Sequence, residues 1–246
     1  MLVKLPNNKP SIHPDSVSLG AYENMADHYY KDVDTKPWNA YYERPGTLSL
    51  LPDVRGKKVL DAGCAAGWYT EWLLNNGAKV ISVDFSPKMI EMTRRRIGDK
   101  AEVVRSDLNQ PLDFIASRSL DLVLSSLTLH YLKTWETAMN EFNRVLKPKG
   151  NLVFSVHHPF MDFTVFKRKN YFLTELLEDE WKSTKVKVQF FRRPLNHIIN
   201  PVLEAGFIIE KLLEPMPTEQ FKLADPEGYA KLTRVPQFLF IRARKA

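Results

Sequence analysis

The stretch VLDAGCAAGW, residues 59 to 68, decides how this chain folds. A short apolar run, preceded by the turn residue Gly56, leads into a glycine-bearing turn and then into a helical pattern from Trp68 to Asn76. Glycines at such a turn let a ligand approach the backbone where side chains would block it. The stretch therefore indicates the first strand, turn and helix of a nucleotide-binding α/β domain.

Downstream of this turn, short β-branched runs alternate with longer helical patterns, which is typical of a parallel sheet with crossover helices. The predicted strands that follow are Lys79 to Val83, Val103-Val104, Leu120 to Leu124, Asn151 to Val156, Phe207 to Leu213 and Gln237 to Ala243. The predicted helices begin at Ser86-Pro87, follow Asp107 after a loop, and span Thr134 to Leu146 and Pro194 to Ala205. An aromatic helical segment, Tyr22 to Tyr30, precedes the sheet. We expect an open α/β sheet of Rossmann-like architecture.

Length and composition favour one ordinary globular domain. The 246 residues are 44% hydrophobic and 26% charged, and no apolar run reaches the 18 residues that suggest a membrane span. The N-terminus lacks the apolar region of a signal peptide, which predicts a cytoplasmic protein that does not enter a membrane. The single cysteine, Cys64, excludes an internal disulfide, and no Cys and His spacing indicates a metal site.

We divide this single domain into four segments. Residues 1–50 form a helical lid, residues 55–158 the ligand-binding core, residues 159–193 an aperiodic insertion over the strand ends, and residues 194–246 the last strands. The net charge of +6 is scattered, which argues against a nucleic-acid partner without excluding one. The oligomeric state stays open.

The residues around the turn favour one nucleoside ligand over another. Asp84 closes the second strand, where a carboxylate can accept hydrogen bonds from both ribose hydroxyls. A dinucleotide fingerprint needs a third glycine for close helix packing, and Trp68 stands at that position. A pyrophosphate would also be repelled by Asp61, whereas a methionine ammonium would be attracted, each by roughly 4 kcal/mol before desolvation. This contrast predicts S-adenosylmethionine (SAM) rather than NAD.

The same motifs resemble the class I SAM-dependent methyltransferases, in particular the small-molecule branch called methyltransferase type 11. The family's acidic, glycine-rich turn matches residues 61–67, with Ala65 in place of the middle glycine. Asp84, Asp107, the fourth-strand stretch 121–127 and RVLKPKGNLVFS at 144–155 match in order. The resemblance implies a seven-stranded, mostly parallel sheet with an antiparallel last strand and helices on both faces.

The resemblance also implies which residues contact SAM and, after the reaction, S-adenosylhomocysteine. In the core these are Asp61, Gly63, Cys64, Ala65, Gly67, Asp84, Phe85, Met89, Ser106, Asp107, Leu108, Ser125 and Ser126. For Cys64 the backbone N–H is the expected contact, because its thiol is read as a buried small side chain. In the lid, Tyr29 is expected near the methionine moiety and Arg44 beside its carboxylate. The alternative for both is ordinary packing of a lid helix and a surface arginine.

Methyl transfer needs orientation of the two reactants and, for poor nucleophiles, a base. The candidates are His130, in SSLTLHY after the fourth strand, and His157, in SVHHPF after the fifth. The alternative for His130 is substrate shaping or helix packing. His157 and His158 are adjacent on a strand, so at most one of them faces the substrate.

The acceptor should lie between the lid and the insertion, whose aromatic residues are candidates for an apolar pocket. These are Trp38, Phe160, Phe163, Phe166, Tyr171, Phe172 and Trp181. Ser125-Ser126-Leu127-Thr128 replaces the D/N/S-P-P-Y/F/W signature of DNA-base methylation. We therefore expect O-, N- or C-methylation of a small molecule. An RNA or protein methyltransferase and a non-catalytic SAM-binding protein remain the alternatives.

Overall fold

The computed structural model describes residues 17–181 and 185–246, and its main feature is a seven-stranded sheet. Its strands are β1 (Lys58–Ala62), β2 (Lys79–Asp84), β3 (Glu102–Arg105), β4 (Leu120–Ser126), β5 (Leu146–His157), β8 (Phe207–Leu213) and β9 (Phe238–Lys245). A separate hairpin consists of β6 (Glu175–Trp181) and β7 (Val186–Arg192).

The strand order is β3-β2-β1-β4-β5-β9-β8. The first five strands pair in parallel, and β9 runs antiparallel to both β5 and β8. This topology confirms the predicted sheet. It also brings the ends of β1, β2, β4 and β5 to one edge, where open α/β sheets bind their ligands.

Helices cover both faces of the sheet, as predicted. They are α1 (Leu19–Asp32), α2 (Arg44–Leu50), α3 (Trp68–Asn75), α4 (Pro87–Ile97), α5 (Glu136–Val145), α6 (Pro159–Val165), α7 (Asn196–Glu204), α8 (Glu219–Ala224) and α9 (Pro226–Leu232). Leu60 packs on one face with residues of α5 and α7, whereas Val59 packs on the other with residues of α2, α3 and α8. The alternation along β1 thus separates two apolar cores. In the described ranges no helix is both long and apolar enough to cross a membrane.

The helix predicted after Asp107 is wrong. Residues 106–119 form turns, although Leu112 and Ile115 are buried. The side chains of α5 satisfy the backbone there, since Leu112 N donates to Glu141 and Arg144 donates to the carbonyls of Leu112 and Ile115. A segment whose buried polar groups are paired in this way needs no helical hydrogen bonds.

The insertion also differs from its prediction as an aperiodic segment. It contains the short helix α6 and the β6–β7 hairpin. Val188 and Phe190 of β7 are buried two positions apart, which is the spacing of one strand face. The β5 boundary moves as well, because Leu146 already pairs with Leu120. The predicted helix ending at Leu146 consequently stops at Val145.

A buried carboxylate joins the N-terminal part of the chain to the sheet. Glu43 is 1% exposed and ends a π-helical turn, Asn39–Glu43. Its Oε1 accepts hydrogen bonds from the hydroxyls of Thr47, Ser126 and Ser155, and its Oε2 accepts one from Tyr69, each at 2.7 Å. Hydrogen bonds to a charged acceptor are about twice as strong as neutral ones. The carboxylate thereby connects α2, α3, β4 and β5.

Replacing this carboxylate should destabilise the whole domain. In Glu43→Gln, an amide N–H group faces hydroxyls that need an acceptor, and we expect the free energy of unfolding to fall by about 2–4 kcal/mol. Urea denaturation measures the change. Glu91→Gln on the exposed face of α4 is the matched control and should alter stability by less than about 0.5 kcal/mol. Equal stability of the two variants would contradict the role given to Glu43.

Candidate active site

A cavity of about 680 Å³ opens at the carboxyl edge of the sheet. This volume lies within the roughly 300–1,000 Å³ typical of small-molecule sites. One end is lined by the ends of β1, β2 and β3, and the other by residues of α6, the hairpin and the segments after β4 and β5. One continuous cavity therefore borders both groups of elements.

The turn after β1 forms one wall of the cavity. Gly63 has φ +88°, and a Cβ placed on it would lie 2.1 Å from Thr128 Oγ1. The backbone N–H groups of Gly63 and Cys64 both donate to Val83 O at 2.9 Å. This bond corrects the expectation for Cys64, because its N–H is already used to join the turn to β2. Its thiol is buried, and burial raises its pKa well above the usual value, as does the charge of Asp84.

Asp84 lies at the end of β2 on the cavity wall. Its Oδ2 accepts a hydrogen bond from Ala65 N and its Oδ1 one from Ser86 N, both at 2.9 Å. These bonds fix the carboxylate and still leave lone pairs on each oxygen for a ligand. Burial raises the pKa of Asp84 to about 6, so the group titrates in an accessible pH range.

Asp107 follows β3 on the same wall, and its Oδ1 accepts hydrogen bonds from the backbone and side-chain nitrogens of Asn109. The remaining residues expected to bind the cofactor that line this part of the cavity are Gly63, Ala65, Phe85, Ser106, Leu108 and Ser126. The structure thus gathers residues from four strand ends around one space.

Some expected cofactor residues do not line the cavity; they are Asp61, Cys64, Gly67, Met89, Ser125 and Arg44. Asp61 is buried beneath the turn, where its carboxylate accepts a 2.6 Å hydrogen bond from Thr70 Oγ1. Burial raises its pKa to about 7, and the charge of Asp84 adds to the rise. Ser125 is fully buried and donates to Ala62 O. Asp61 and Ser125 therefore support the wall from behind.

Arg44 and Tyr29 were expected in the lid region. The guanidinium of Arg44 donates to the carbonyls of Val33 and Asp34 at 2.7 and 2.9 Å, and it lies 4.0 Å from the centre of the Trp68 ring. Arg44 thus ties the end of α1 to the start of α3, and it is buried rather than a surface residue. Tyr29 lies in α1, but its side chain is outside the described residues.

The other end of the cavity contains both predicted histidines. The rings of His130 and His157 stack with centroids 4.1 Å apart. Burial holds the pKa of His130 well below its usual value, and His157 and Arg193 lower it further. His130 is therefore neutral at physiological pH. His158 instead lies off the cavity and contacts Glu214 Oε1 through its Nε2 at 2.6 Å.

The lid and insertion close over this end. Tyr22 of α1 contacts Tyr131 through their hydroxyls at 2.7 Å, and Ser18 exchanges two 2.7 Å hydrogen bonds with the backbone of Gln189 in β7. Of the aromatic candidates with described side chains, Trp38 and Phe166 line the cavity. Phe160, Phe163, Tyr171 and Phe172 do not, and the Trp181 side chain is outside the description.

Several residues of this end were not found from the sequence. Asp162, Phe190 and Phe238 line the cavity, and Asp162 is 2% exposed. Asp162 falls in the segment read as aperiodic, where no pattern marks one acid among many. The apolar residues Val188 and Phe190, two positions apart, were the sequence pattern that could have indicated a strand of the hairpin.

Several known proteins are similar to this chain in sequence or in fold. A family model described as a methyltransferase domain matches residues 60–154. An uncharacterised protein of Haemophilus influenzae is 32% identical over 97% of this chain and 98% of its own. A malonyl-(acyl-carrier protein) O-methyltransferase of Enterobacter lignolyticus is 30% identical over 59% of this chain and 55% of its own. The crystal structure of an S-adenosylmethionine dependent methyltransferase from Mesorhizobium loti has a TM-score of 0.73 at 29% identity, covering 87% of this chain and 100% of that chain.

The close approach of Thr128 to Gly63 allows a test that distinguishes backbone strain from a steric clash. Gly56 and Gly63 both have positive φ, but a Cβ on Gly56 meets nothing within 4 Å. We expect Gly56→Ala to cost about 1–2 kcal/mol of unfolding free energy. Gly63→Ala should cost at least about 1–3 kcal/mol more, because Thr128 must move. Urea denaturation of both variants measures the difference, and equal losses would show that the contact with Thr128 is not tight.

Proposed function

This chain belongs to the SAM-dependent methyltransferases, and from that premise we propose that it transfers the methyl group of SAM to a small-molecule acceptor enclosed beneath its lid. The observation that carries the proposal is one continuous cavity that joins the strand-end carboxylates to the paired histidines. One ligand region next to Asp84 suits the cofactor, and the region next to His130 and His157 suits the acceptor.

The residues at the first region fit SAM. We assign the ribose hydroxyls to Asp84, whose two oxygens are fixed by backbone N–H groups and keep acceptor capacity. Asp107 and Leu108 would border the adenine, and the open backbone of Gly63 and Ala65 leaves space for the remainder of the ligand. Phe85, Ser106 and Ser126 complete this wall.

The second region supports a small acceptor because lid and insertion both contact the rest of the protein across it. The hydroxyls of Tyr22 and Tyr131 lie 2.7 Å apart, and Ser18 exchanges two hydrogen bonds with the backbone of Gln189 in the hairpin. A macromolecular acceptor would require these contacts to open. An acceptor that fits within the cavity requires only transient opening.

When bound, SAM would supply an electrophilic methyl group for in-line displacement by the acceptor. The protein's part is to hold the two reactants in line and to exclude water. Phe190 and Phe238 give the acceptor region apolar walls, and the lowered pKa of His130 favours its neutral form, which would add no positive charge to the cavity that receives a sulfonium. We assign the removal of a proton from the acceptor to His157.

The proposal is tested by following a labelled methyl group. The protein is incubated with methyl-labelled SAM and a cell extract, and the products are separated by ultrafiltration into small molecules and macromolecules. We expect protein-dependent label in the small-molecule fraction. Ribonuclease- or protease-sensitive label in the other fraction would instead support an RNA or protein acceptor. Calorimetric titration with SAM, S-adenosylhomocysteine and NAD tests the cofactor alone, and the first two should bind.

The assignment of Asp84 predicts a pH dependence of SAM affinity. A pKa raised to about 6 means that the carboxylate is ionised at pH 7.5 and mostly protonated at pH 5. The ionised form is the better acceptor for two ribose hydroxyls, so affinity should fall about tenfold between these pH values. Calorimetry at each pH measures the change.

Two variants make this prediction specific. In Asp84→Asn, SAM affinity should be at least about tenfold weaker at pH 7.5 and should no longer change as the pH falls. Asp99→Asn, at an exposed position just beyond α4, should bind and titrate as the unmodified protein does. A decline with pH that persists in Asp84→Asn would assign the titration to another group.

A further inference from the structure

Three buried polar atoms on the acceptor wall of the cavity have no hydrogen-bond partner within the described part of the chain. They are His130 Nδ1, His157 Nδ1 and Asp162 Oδ1. Leaving such atoms unpaired costs about 1–3 kcal/mol each, so their grouping at one site indicates that they gain partners when the site is occupied. His157 and Asp162 are the pair among them that approach each other, with Nδ1 and Oδ1 3.5 Å apart.

We propose that Asp162 and His157 form a general-base dyad that removes the proton from a hydroxyl group of the acceptor; this inference rests on the proposed methyl transfer. His157 would be the catalytic residue and Asp162 a positioning residue. Catalytic hydrogen bonds are often long in ligand-free proteins and shorten in the reacting complex, so a distance of 3.5 Å is compatible with this pairing.

The ring of His157 is held in one orientation. It stacks on His130 on one side, lies 6.0 Å from Phe238 at an interplanar angle of 23°, and meets the Phe190 ring at 77°. Nδ1 is the ring nitrogen that lies 3.5 Å from Asp162 Oδ1, so the opposite nitrogen, Nε2, is the one left for the acceptor. A carboxylate at Nδ1 retains the proton there and keeps Nε2 unprotonated, as a base requires.

The need for a base, rather than the local charge, favours a hydroxyl as the acceptor group. Asp162, Asp179 and Glu180 line the cavity together with Lys36 and Lys231, and an acceptor carboxylate would need no base. A hydroxyl is a poor nucleophile until it loses its proton, so it gains most from a positioned base. The walls formed by Phe166, Phe190 and Phe238 suit an apolar, planar carrier of that hydroxyl.

The proposed step balances. The hydroxyl proton passes to His157 Nε2 while the oxygen's electron pair forms a bond to the methyl carbon of SAM. The carbon–sulfur bond breaks, and its electron pair returns to sulfur, which leaves as the neutral thioether of S-adenosylhomocysteine. The imidazolium, facing Asp162, then releases its proton to solvent.

The experiment that tests the dyad reads the histidine tautomers directly, by side-chain nitrogen NMR of isotope-labelled histidine in the SAM-bound protein. We expect His157 to carry its proton on Nδ1. His158 is an internal reference for the opposite tautomer, because its Nδ1 accepts a hydrogen bond from Phe160 N. A wild-type His157 with its proton on Nε2 would overturn the proposal.

Variants add a readout that a merely structural Asp162 would not change. Asp162→Leu should move the His157 proton to Nε2 and lower methyl transfer to the small-molecule fraction of a cell extract about 10²-fold, with SAM affinity unchanged. If this variant does not fold, Asp162→Asn, which keeps the shape, should lower transfer about tenfold. Asp99→Asn should leave both the tautomer and transfer as in the wild type.

The charge of the labelled product and the titration with SAM distinguish a failure of the proposed dyad from a failure of the proposed function. A methyl ether is neutral, whereas a methylated amine binds a cation-exchange resin, so cationic labelled product would overturn the hydroxyl assignment. Transfer that is unaffected in Asp162→Leu would overturn the dyad alone. Absence of SAM binding or of any labelled product would be a failure of the proposed function.

Discussion

The four hydroxyl hydrogen bonds to the buried Glu43 carboxylate are the constraint on which the site depends. They fix Ser126, which lines the cavity, and Ser155, whose hydroxyl also accepts a 3.0 Å hydrogen bond from Leu127 N. Leu127 has φ +46°, a conformation that costs a non-glycine residue about 1–2 kcal/mol. Leu127 N donates to both the hydroxyl and the carbonyl oxygen of Ser155, which offsets this strain. The chain can therefore turn sharply after β4, and Thr128 lies against Gly63.

The two regions of the cavity are built by different means. The nucleoside region consists of strand ends and tight turns, and its carboxylates are held by backbone N–H groups such as that of Ala65. The acceptor region combines His157 of β5 with side chains from elements outside the parallel core, including Tyr22 of α1, Asp162 of α6 and Phe190 of β7. A rigid cofactor region and a replaceable cover allow one fold to accept different substrates.

This division explains what the sequence could predict. The turn at residues 59–68 and the acids Asp84 and Asp107 are local patterns fixed by backbone geometry, and they correctly indicated the sheet and the cofactor. Glu43, by contrast, acts through four residues as far away as Ser155, and Asp162 acts through one histidine on another element. Neither of these long-range contacts produces a periodic pattern in the sequence. The helix expected after Asp107 was wrong for the same reason, because side chains of α5 satisfy that backbone.

His157 and His158, at the end of β5, have different roles because their side chains point in opposite directions. Alternation along β5 directs His157 to the cavity and His158 away from it. The Nδ1 of His158 then accepts the N–H of Phe160 at the start of α6. By starting α6 there, His158 places Asp162 one helical turn further on and within 3.5 Å of His157. His158, which faces away from the cavity, thus helps to position Asp162. In the proposed dyad, Asp162 in turn orients His157, which faces the cavity.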